Sequence, residues 1–139
     1  MNKVIIFLAV VLFASCSKDP VRTRKCADVI CTENFASVTI KFADKHGEGI
    51  AVNKYSAVNQ RTGDTIRTAS AAISNTIAGV YFVVDDGWTK KLSEAGDDIK
   101  ISGTNPGTGQ TKTAVVKVKG GKCACHVEKI SGPDQIQFD

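Results

Sequence analysis

The sequence lacks the short motifs that usually indicate catalysis or nucleotide binding. No serine stands in a Gly-x-Ser-x-Gly motif, no glycine-rich loop ends in Gly-Lys-Ser or Gly-Lys-Thr, and no Asp-x-Asp-x-Asp-Gly loop is present. The usual signals of serine hydrolases, phosphate-binding loops and EF-hand calcium sites are therefore missing. The net charge of +4 is mild, and no Lys/Arg cluster is interleaved with aromatic residues. Nucleic acid is for that reason not an expected partner.

Aromatic residues are few, and no internal repeat or helical period of useful length is present. Glycine is frequent, and threonine, valine and isoleucine are common. This composition is typical of strands and turns rather than of a helical bundle. The chain length suits one domain with a single core.

The first fifteen residues have the pattern of an export signal. Lys3 is their only charge, and Val4–Phe13 is an unbroken apolar run of ten residues. Because a bilayer-spanning helix needs about 20 apolar residues, this run is too short for a transmembrane anchor. A basic start, a short apolar stretch and small residues before the cut are the features of a secretory signal peptide.

The tetrad Phe13-Ala14-Ser15-Cys16 resembles the lipobox of bacterial lipoprotein signal peptides. In that family a diacylglycerol is attached to the cysteine thiol, the chain is cut before the cysteine, and the new amine is often acylated. The resemblance implies that residues 1–15 are removed and that Cys16 anchors a mature chain of 139 − 15 = 124 residues to a membrane. Two or three acyl chains hold a protein firmly, whereas one holds it weakly.

Ser17-Lys18-Asp19-Pro20 follows the cysteine and resembles the Lys-Asp signal that sends some Bacteroidetes lipoproteins to the cell surface. A simple polar tether is the alternative, and both stay open. We expect an outer membrane lipoprotein, at the periplasmic face or at the cell surface. Residues 16–30 are assigned to the lipidated N-terminus and tether, and residues 31–139 to the folded domain.

Alternating apolar and polar residues predict most of the secondary structure. In residues 35–43 the side chains of Val38, Ile40 and Phe42 share one face, as in a half-buried strand. We predict strands over residues 35–43, 50–58, 65–68, 79–84, 99–102, 111–119 and 122–130, with residues 79–84 as a central strand buried on both faces. A short helical turn is predicted over 88–95, with Trp88, Leu92 and Ala95 inward. Residues 69–78 are ambiguous, and residues 131–139 are left unassigned.

These elements predict an all-β fold, an antiparallel sandwich of immunoglobulin-like or transthyretin-like type with about seven strands. A small open barrel is the main alternative. Cys31, the residues 35–40, Thr62-Gly63-Asp64 and the stretch Cys125 to Pro133 resemble small Bacteroidetes lipoproteins with a carboxypeptidase-regulatory-like or transthyretin-like β-sandwich. The resemblance covers roughly residues 26–133. It implies the sandwich fold and assigns no activity.

Four cysteines remain once Cys16 is assigned to lipid, and an even number in an exported domain indicates disulfides. On a strand over 122–130, Cys123 and Cys125 would lie two rises of ~3.4 Å apart, farther than the ~3.8 Å between bonded Cβ atoms. We therefore expect two bonds from Cys26 and Cys31 to the last strand. A parallel neighbour favours 26–123 with 31–125, and an antiparallel one favours the reverse.

A zinc site is the alternative use of these cysteines, with His126 as a further ligand. The spacing of the ligands and the oxidising compartment disfavour it, and we expect neither a metal nor a cofactor. A calcium site is weighed in the same way against ordinary turn chemistry. It would draw on five carboxylates: Asp85, Asp86, Glu94, Asp97 and Asp98.

Two further local patterns are candidate sites. His126 and Glu128 should share the exposed face of the last strand, where they are either an acid–base pair or simply solvated residues. Asp64-Thr65-Ile66 resembles the acceptor of Bacteroidetes O-glycosylation, which makes Thr65 a candidate glycan site.

The sequence favours a lipid-anchored binding or interaction module without enzymatic activity, with an envelope protein or a glycan as partner. Loops would carry the contact, namely residues 46–49, 85–88 or 105–109. Trp88 is either an exposed platform or part of the core. The alternative is a structural accessory subunit of an envelope complex. A hydrolase using His126 and Glu128 is the remote third hypothesis.

Overall fold

The computed structural model describes Cys26, residues 29–68 and residues 77–139. This part of the chain contains seven strands and one short 3-10 helix, Asp86–Lys91. The strands are β1 Ser37–Ala43, β2 Asn53–Asn59, β3 Val80–Asp85, β4 Asp97–Thr104, β5 Thr111–Lys119, β6 Glu128–Ser131 and β7 Gln135–Gln137. They form a three-stranded sheet in the order β3-β1-β7 and a four-stranded sheet in the order β2-β4-β5-β6. The predicted all-β sandwich is confirmed.

The core lies between the two sheets and is built from the alternating strands. Val38, Ile40 and Phe42 of β1 are buried, as the period of two predicts. On the opposite sheet the buried alternating residues are Ile99 and Ile101 of β4 and Val116 and Val118 of β5. Each of these strands therefore places one apolar face against the other sheet.

The ring of Phe42 joins the two sheets. It meets Tyr81 of β3 and Tyr55 of β2 edge to face, with ring centroids 5.5 and 6.2 Å away. Phe138 stacks on it at 6.0 Å. Across the core a Cβ at Gly103 would lie 2.8 Å from two Phe42 ring atoms, so β4 needs a glycine where it faces this ring.

The order of the smaller sheet differs from the prediction. The run over 79–84 was expected to be central, but β3 is an edge strand and β1 is the central one. The apolar character of β3 has another cause, since Val83 and Val84 are both fully buried and Tyr81 packs on both Phe42 and Tyr55. β1 pairs antiparallel with β3 and parallel with β7, so the sandwich is mostly rather than wholly antiparallel.

The predicted last strand over 122–130 is confirmed only for residues 128–130, which belong to β6, and is wrong for residues 122–127. β5 ends at Lys119, the chain turns at Gly120 and Gly121, and β6 begins only at Glu128. A Cβ at Gly120 would lie 2.3 Å from the carbonyl oxygen of Thr89, and Gly121 has φ of +121°. The two glycines thus let the chain pass close to the 3-10 helix as a loop. We call residues 120–127 the cysteine loop.

Other boundaries shift by smaller amounts. The strand predicted over 65–68 is reduced to a single bridge between Val58 and Thr65. In the helical turn Leu92 is buried and Trp88 is half-buried, as expected, but Ala95 is exposed. The ambiguous stretch 69–78 lies outside the described residues except for Ile77 and Ala78.

The 3-10 helix begins where Asp85 accepts a hydrogen bond from the Gly87 N–H at 3.0 Å. The indole Nε1 of Trp88 donates to the Arg67 carbonyl at 3.0 Å, and the ammonium of Lys91 lies 4.3 Å from the ring centroid. Trp88 is therefore committed to its own neighbours rather than held out as an open platform. In the described residues no helix has the length and apolar character needed to cross a bilayer.

Candidate functional site

Two disulfides bind the start of the domain to the cysteine loop. Cys26 is bonded to Cys123 and Cys31 to Cys125, with Cα atoms 5.1 and 5.3 Å apart. The predicted pair of bonds is confirmed, and the structure selects one of the two arrangements left open. The strand argument behind the prediction was wrong, because Cys123 and Cys125 lie in a loop.

Asp86, the first residue of the 3-10 helix, ties three parts of the chain together at this end. One carboxylate oxygen accepts from the backbone N–H of Ala36 at 2.8 Å and lies 2.7 Å from His126 Nδ1. The other oxygen accepts from the backbone N–H of Val127 at 2.9 Å. Burial raises the pKa of Asp86, but these hydrogen bonds outweigh it and hold the pKa below the ordinary value of 3.8. The carboxylate is therefore ionised at neutral pH.

His126 connects this carboxylate to the N-terminal segment. Its Nε2 lies 3.1 Å from the hydroxyl oxygen of Thr32, so a hydroxyl, an imidazole and a carboxylate form one hydrogen-bonded chain. In catalytic triads a carboxylate orients a histidine, and the histidine accepts the proton of a hydroxyl nucleophile. Asp86, His126 and Thr32 stand in the same order. The expected placement of His126 beside Glu128 on one strand face is wrong, because His126 precedes β6 and Glu128 pairs with Lys119 at 2.9 Å.

A shallow depression of about 380 Å³ opens beside His126. Its lining residues are Lys119, Gly120, Ala124, Cys125, His126, Val127 and Glu128. The depression is therefore formed almost entirely by the cysteine loop, whose shape the disulfides hold. An open hollow of this kind exposes the Lys119–Glu128 ion pair and the imidazole to solvent on one side.

The acidic residues considered for calcium are not gathered into one site. Asp97 is only 2% exposed and accepts from Arg61 Nε at 2.6 Å and from Asn59 Nδ2 at 2.7 Å. Asp98, its neighbour, pairs with Lys117 at 3.2 Å on the outer face of the sheet. Among the described residues, no group of three or more His, Cys, Asp or Glu side chains is placed to hold a metal ion.

The candidate binding loops lie at opposite ends of the sandwich. Residues 85–88 are at the disulfide end, where Asp86 contacts His126 and Val127 of the cysteine loop. Residues 46–49 and 105–109 share the other end, which we call the distal end. There Gln137 Nε2 donates to the Lys45 carbonyl at 3.1 Å, and Gln110 Nε2 donates to the Asp139 carboxylate at 2.6 Å.

Side chains brace the two distal loops from within. Asp44 Oδ1 accepts from the N–H groups of His46 and Glu48 at 2.8 and 2.9 Å. Asn105 Oδ1 accepts from the Gly107 N–H at 2.8 Å. Asx turns of this kind give a loop a defined shape before any partner arrives.

Thr65, the candidate glycan site, is exposed. Its backbone is held by the bridge to Val58. Cys16 and residues 17–25 lie outside the described residues.

The residues of the candidate site that sequence reasoning missed are Thr32, and Asp86 as the partner of His126. They lie 94 and 40 residues from His126 in the chain, and no local pattern links them. Comparison of the chain with protein-family models, with curated protein sequences and with solved structures finds no match.

Proposed function

We propose that this protein is a lipid-anchored extracytoplasmic module of the outer membrane that binds an envelope protein or a glycan through its distal end. The observation that carries the proposal is the attachment of Cys26 and Cys31 to the cysteine loop. Disulfides persist in oxidising compartments, which supports export. They also bring the tether in at one end of the sandwich, so the loops 46–49 and 105–109 are presented at the other.

The anchor is tested by mapping the mature protein purified from its native envelope. We expect the first peptide to begin at Cys16 and to carry a diacylglycerol with an additional acyl group. Cys16→Ala should abolish this modification and shift the protein from the membrane to the soluble fraction, because the acyl chains supply the attachment. An unmodified Cys16 in the membrane-bound protein would contradict the proposal. The same map tests Thr65, where we propose an O-linked glycan that Thr65→Ala should remove.

A structural accessory subunit of an envelope complex remains the alternative within the same class of protein. Native gels of solubilised envelope separate the two functions. A module that recruits a partner should migrate alone in part and shift when the partner or glycan is added. A subunit should migrate only within a larger assembly, which should fall apart when the gene is deleted.

The second candidate function is hydrolysis of an acyl substrate, favoured by the chain Thr32–His126–Asp86. In such a reaction Thr32 Oγ1 attacks the acyl carbon while His126 Nε2 takes the hydroxyl proton. His126 then gives this proton to the leaving group, and water releases the acyl group from Thr32.

A fluorophosphonate or β-lactone probe distinguishes the two candidate functions. If the protein is a hydrolase, the probe labels Thr32, and both Thr32→Val and His126→Ala lower the labelling rate at least about 100-fold. Thr39→Val is the matched control, because Thr39 is another exposed threonine near the start of β1. The binding proposal expects the opposite result, in which Thr32 is labelled no faster than Thr39.

A further inference from the structure

Exposed apolar side chains are concentrated in residues 29–35, which we call the clamped segment. Val29, Ile30 and Phe35 are 47%, 96% and 64% exposed. They are three of the six large apolar residues that are exposed in the described part of the chain. A local group of large exposed apolar side chains on a small domain indicates a surface that another body covers.

The clamped segment is held to the domain at several points. Cys31 is bonded to Cys125, the hydroxyl of Thr32 lies 3.1 Å from His126 Nε2, and the N–H of Ala36 donates to Asp86 at 2.8 Å. With these points fixed, the segment cannot turn its apolar side chains into the core. Ile30 and Phe35 are therefore kept in solvent by the covalent and hydrogen-bonded structure around them.

The residues that precede the clamped segment limit how far the domain can lie from Cys16, and they carry a net positive charge. Cys26 is ten residues from Cys16, and a stretch of this length spans at most about 35 Å when fully extended. Residues 17–25 contain four basic side chains and one acidic side chain, a net charge of +3. If Cys16 carries lipid, as proposed above, Cys26 stays within that distance of the bilayer surface, and the clamped segment begins three residues after Cys26.

We propose that the clamped segment docks the domain onto the bilayer surface. Ile30 and Phe35 enter the interfacial region, and the basic residues of the tether pair with anionic phospholipid headgroups. The acyl chains on Cys16 keep the protein at the membrane, and the clamped segment sets which end of the sandwich faces it. The distal end then points away from the bilayer, toward the partner.

The experiment uses the mature chain with Cys16→Ser, secreted so that both disulfides form and no lipid is attached. Its sedimentation with vesicles of phosphatidylethanolamine and phosphatidylglycerol measures the affinity of the domain itself. We expect Ile30→Ser/Phe35→Ser to lower the partition coefficient at least about tenfold, because two large apolar side chains no longer leave water.

Val115→Ser/Ile130→Ser is the matched control. These two side chains are 44% and 46% exposed and belong to β5 and β6 of the four-stranded sheet, outside the clamped segment. The control should bind within about twofold of the parent. Since all four side chains are exposed, the melting temperatures of the two variants should stay close to that of the parent.

Three results would overturn the inference. One is a parent protein that sediments with none of the vesicles, and another is equal loss of binding in both double variants. The third is a dimer, seen by light scattering, that Ile30→Ser/Phe35→Ser dissolves, which would assign the surface to a second copy of the chain. An unmodified Cys16 in the envelope would contradict the proposed lipid anchor. It would not change the interpretation of the vesicle experiment, because the protein used there carries no lipid.

Discussion

Replacing the four disulfide-bonded cysteines with alanine should lower the free energy of unfolding by about 6–8 kcal/mol. The bonds join residues 97 and 94 positions apart, so the reduced, unfolded chain gains the freedom of a loop that spans most of the domain. On the chain-entropy model the first such loop contributes about 4–5 kcal/mol, and the second bond adds less because the ends are already held. A small domain has only about 5–15 kcal/mol in total, so the variant should be largely unfolded at 37 °C.

Urea unfolding of the parent and of paired variants measures this effect. Cys31→Ala/Cys125→Ala keeps the bond between Cys26 and Cys123 and opens only the small ring between the two bonds, so it should cost about 2–3 kcal/mol. The same variant removes the covalent bond between the clamped segment and the cysteine loop, and it should therefore also weaken binding to vesicles. A four-cysteine variant that loses less than 1 kcal/mol would show that the disulfides do not hold the N-terminal segment in place.

Asp97→Ala should lower the free energy of unfolding by about 2–4 kcal/mol. The carboxylate is 2% exposed, and it accepts from both Nε and an Nη of Arg61, at 2.6 and 2.8 Å. It also accepts from the amide of Asn59, which is itself 1% exposed. Removal of the carboxylate leaves the Asn59 amide buried with a donor unpaired, while the half-exposed Arg61 can turn to water.

Asp98→Ala is the control for this change, because the neighbouring carboxylate is 50% exposed and pairs with Lys117 on the surface. A surface pair of this kind is worth about 0–1 kcal/mol, so the control should unfold close to the parent. Equal losses in the two variants would contradict the importance of the buried network. Denaturant unfolding of both variants at neutral pH makes the comparison.

The hydrogen bonds of Asp97 should also make the free energy of unfolding depend on pH below about pH 4. The hydrogen bond from Arg61 is the main reason that the pKa of Asp97 lies below its ordinary value of 3.8, with burial opposing it and Asn59 and Ser93 assisting. Because the folded pKa is the lower one, the stabilisation is present above about pH 4 and is lost as the pH falls through the folded pKa. Asp97→Asn should remove this part of the acid dependence, so its stability should fall less steeply with acid than that of the parent.

The strands that local pattern could predict are those with one face in the core. β1, β4 and β5 alternate over most of their length because every second side chain faces the opposite sheet, and the residue order alone reports this period. The alternation in Ile136 and Phe138 was too short to be recognised, although both residues are buried. β3 looked central because Val83 and Val84 are both fully buried and Tyr81 packs on Phe42. Apolar character reports side-chain burial rather than the number of hydrogen-bonded neighbours.

The cysteine loop shows where local pattern misleads. Residues 122–130 alternate well enough to resemble a strand, but Gly120 and Gly121 allow the chain to pass against the 3-10 helix instead. His126 therefore turns toward Asp86 and Thr32 rather than lying beside Glu128. No local signal could have shown this, because the three partners come from separate parts of the chain.

The sequence by itself determined that this is an all-β domain with an even set of cysteines left after Cys16, because strand period and residue counts are properties of the chain alone. The tertiary structure decided the pairing of Cys26 with Cys123 and of Cys31 with Cys125, and the chain Thr32–His126–Asp86. It also decided that Ile30 and Phe35 stay in solvent. These features depend on which distant segments meet when the two sheets pack, and that choice follows from the burial of the whole core rather than from any short stretch of residues.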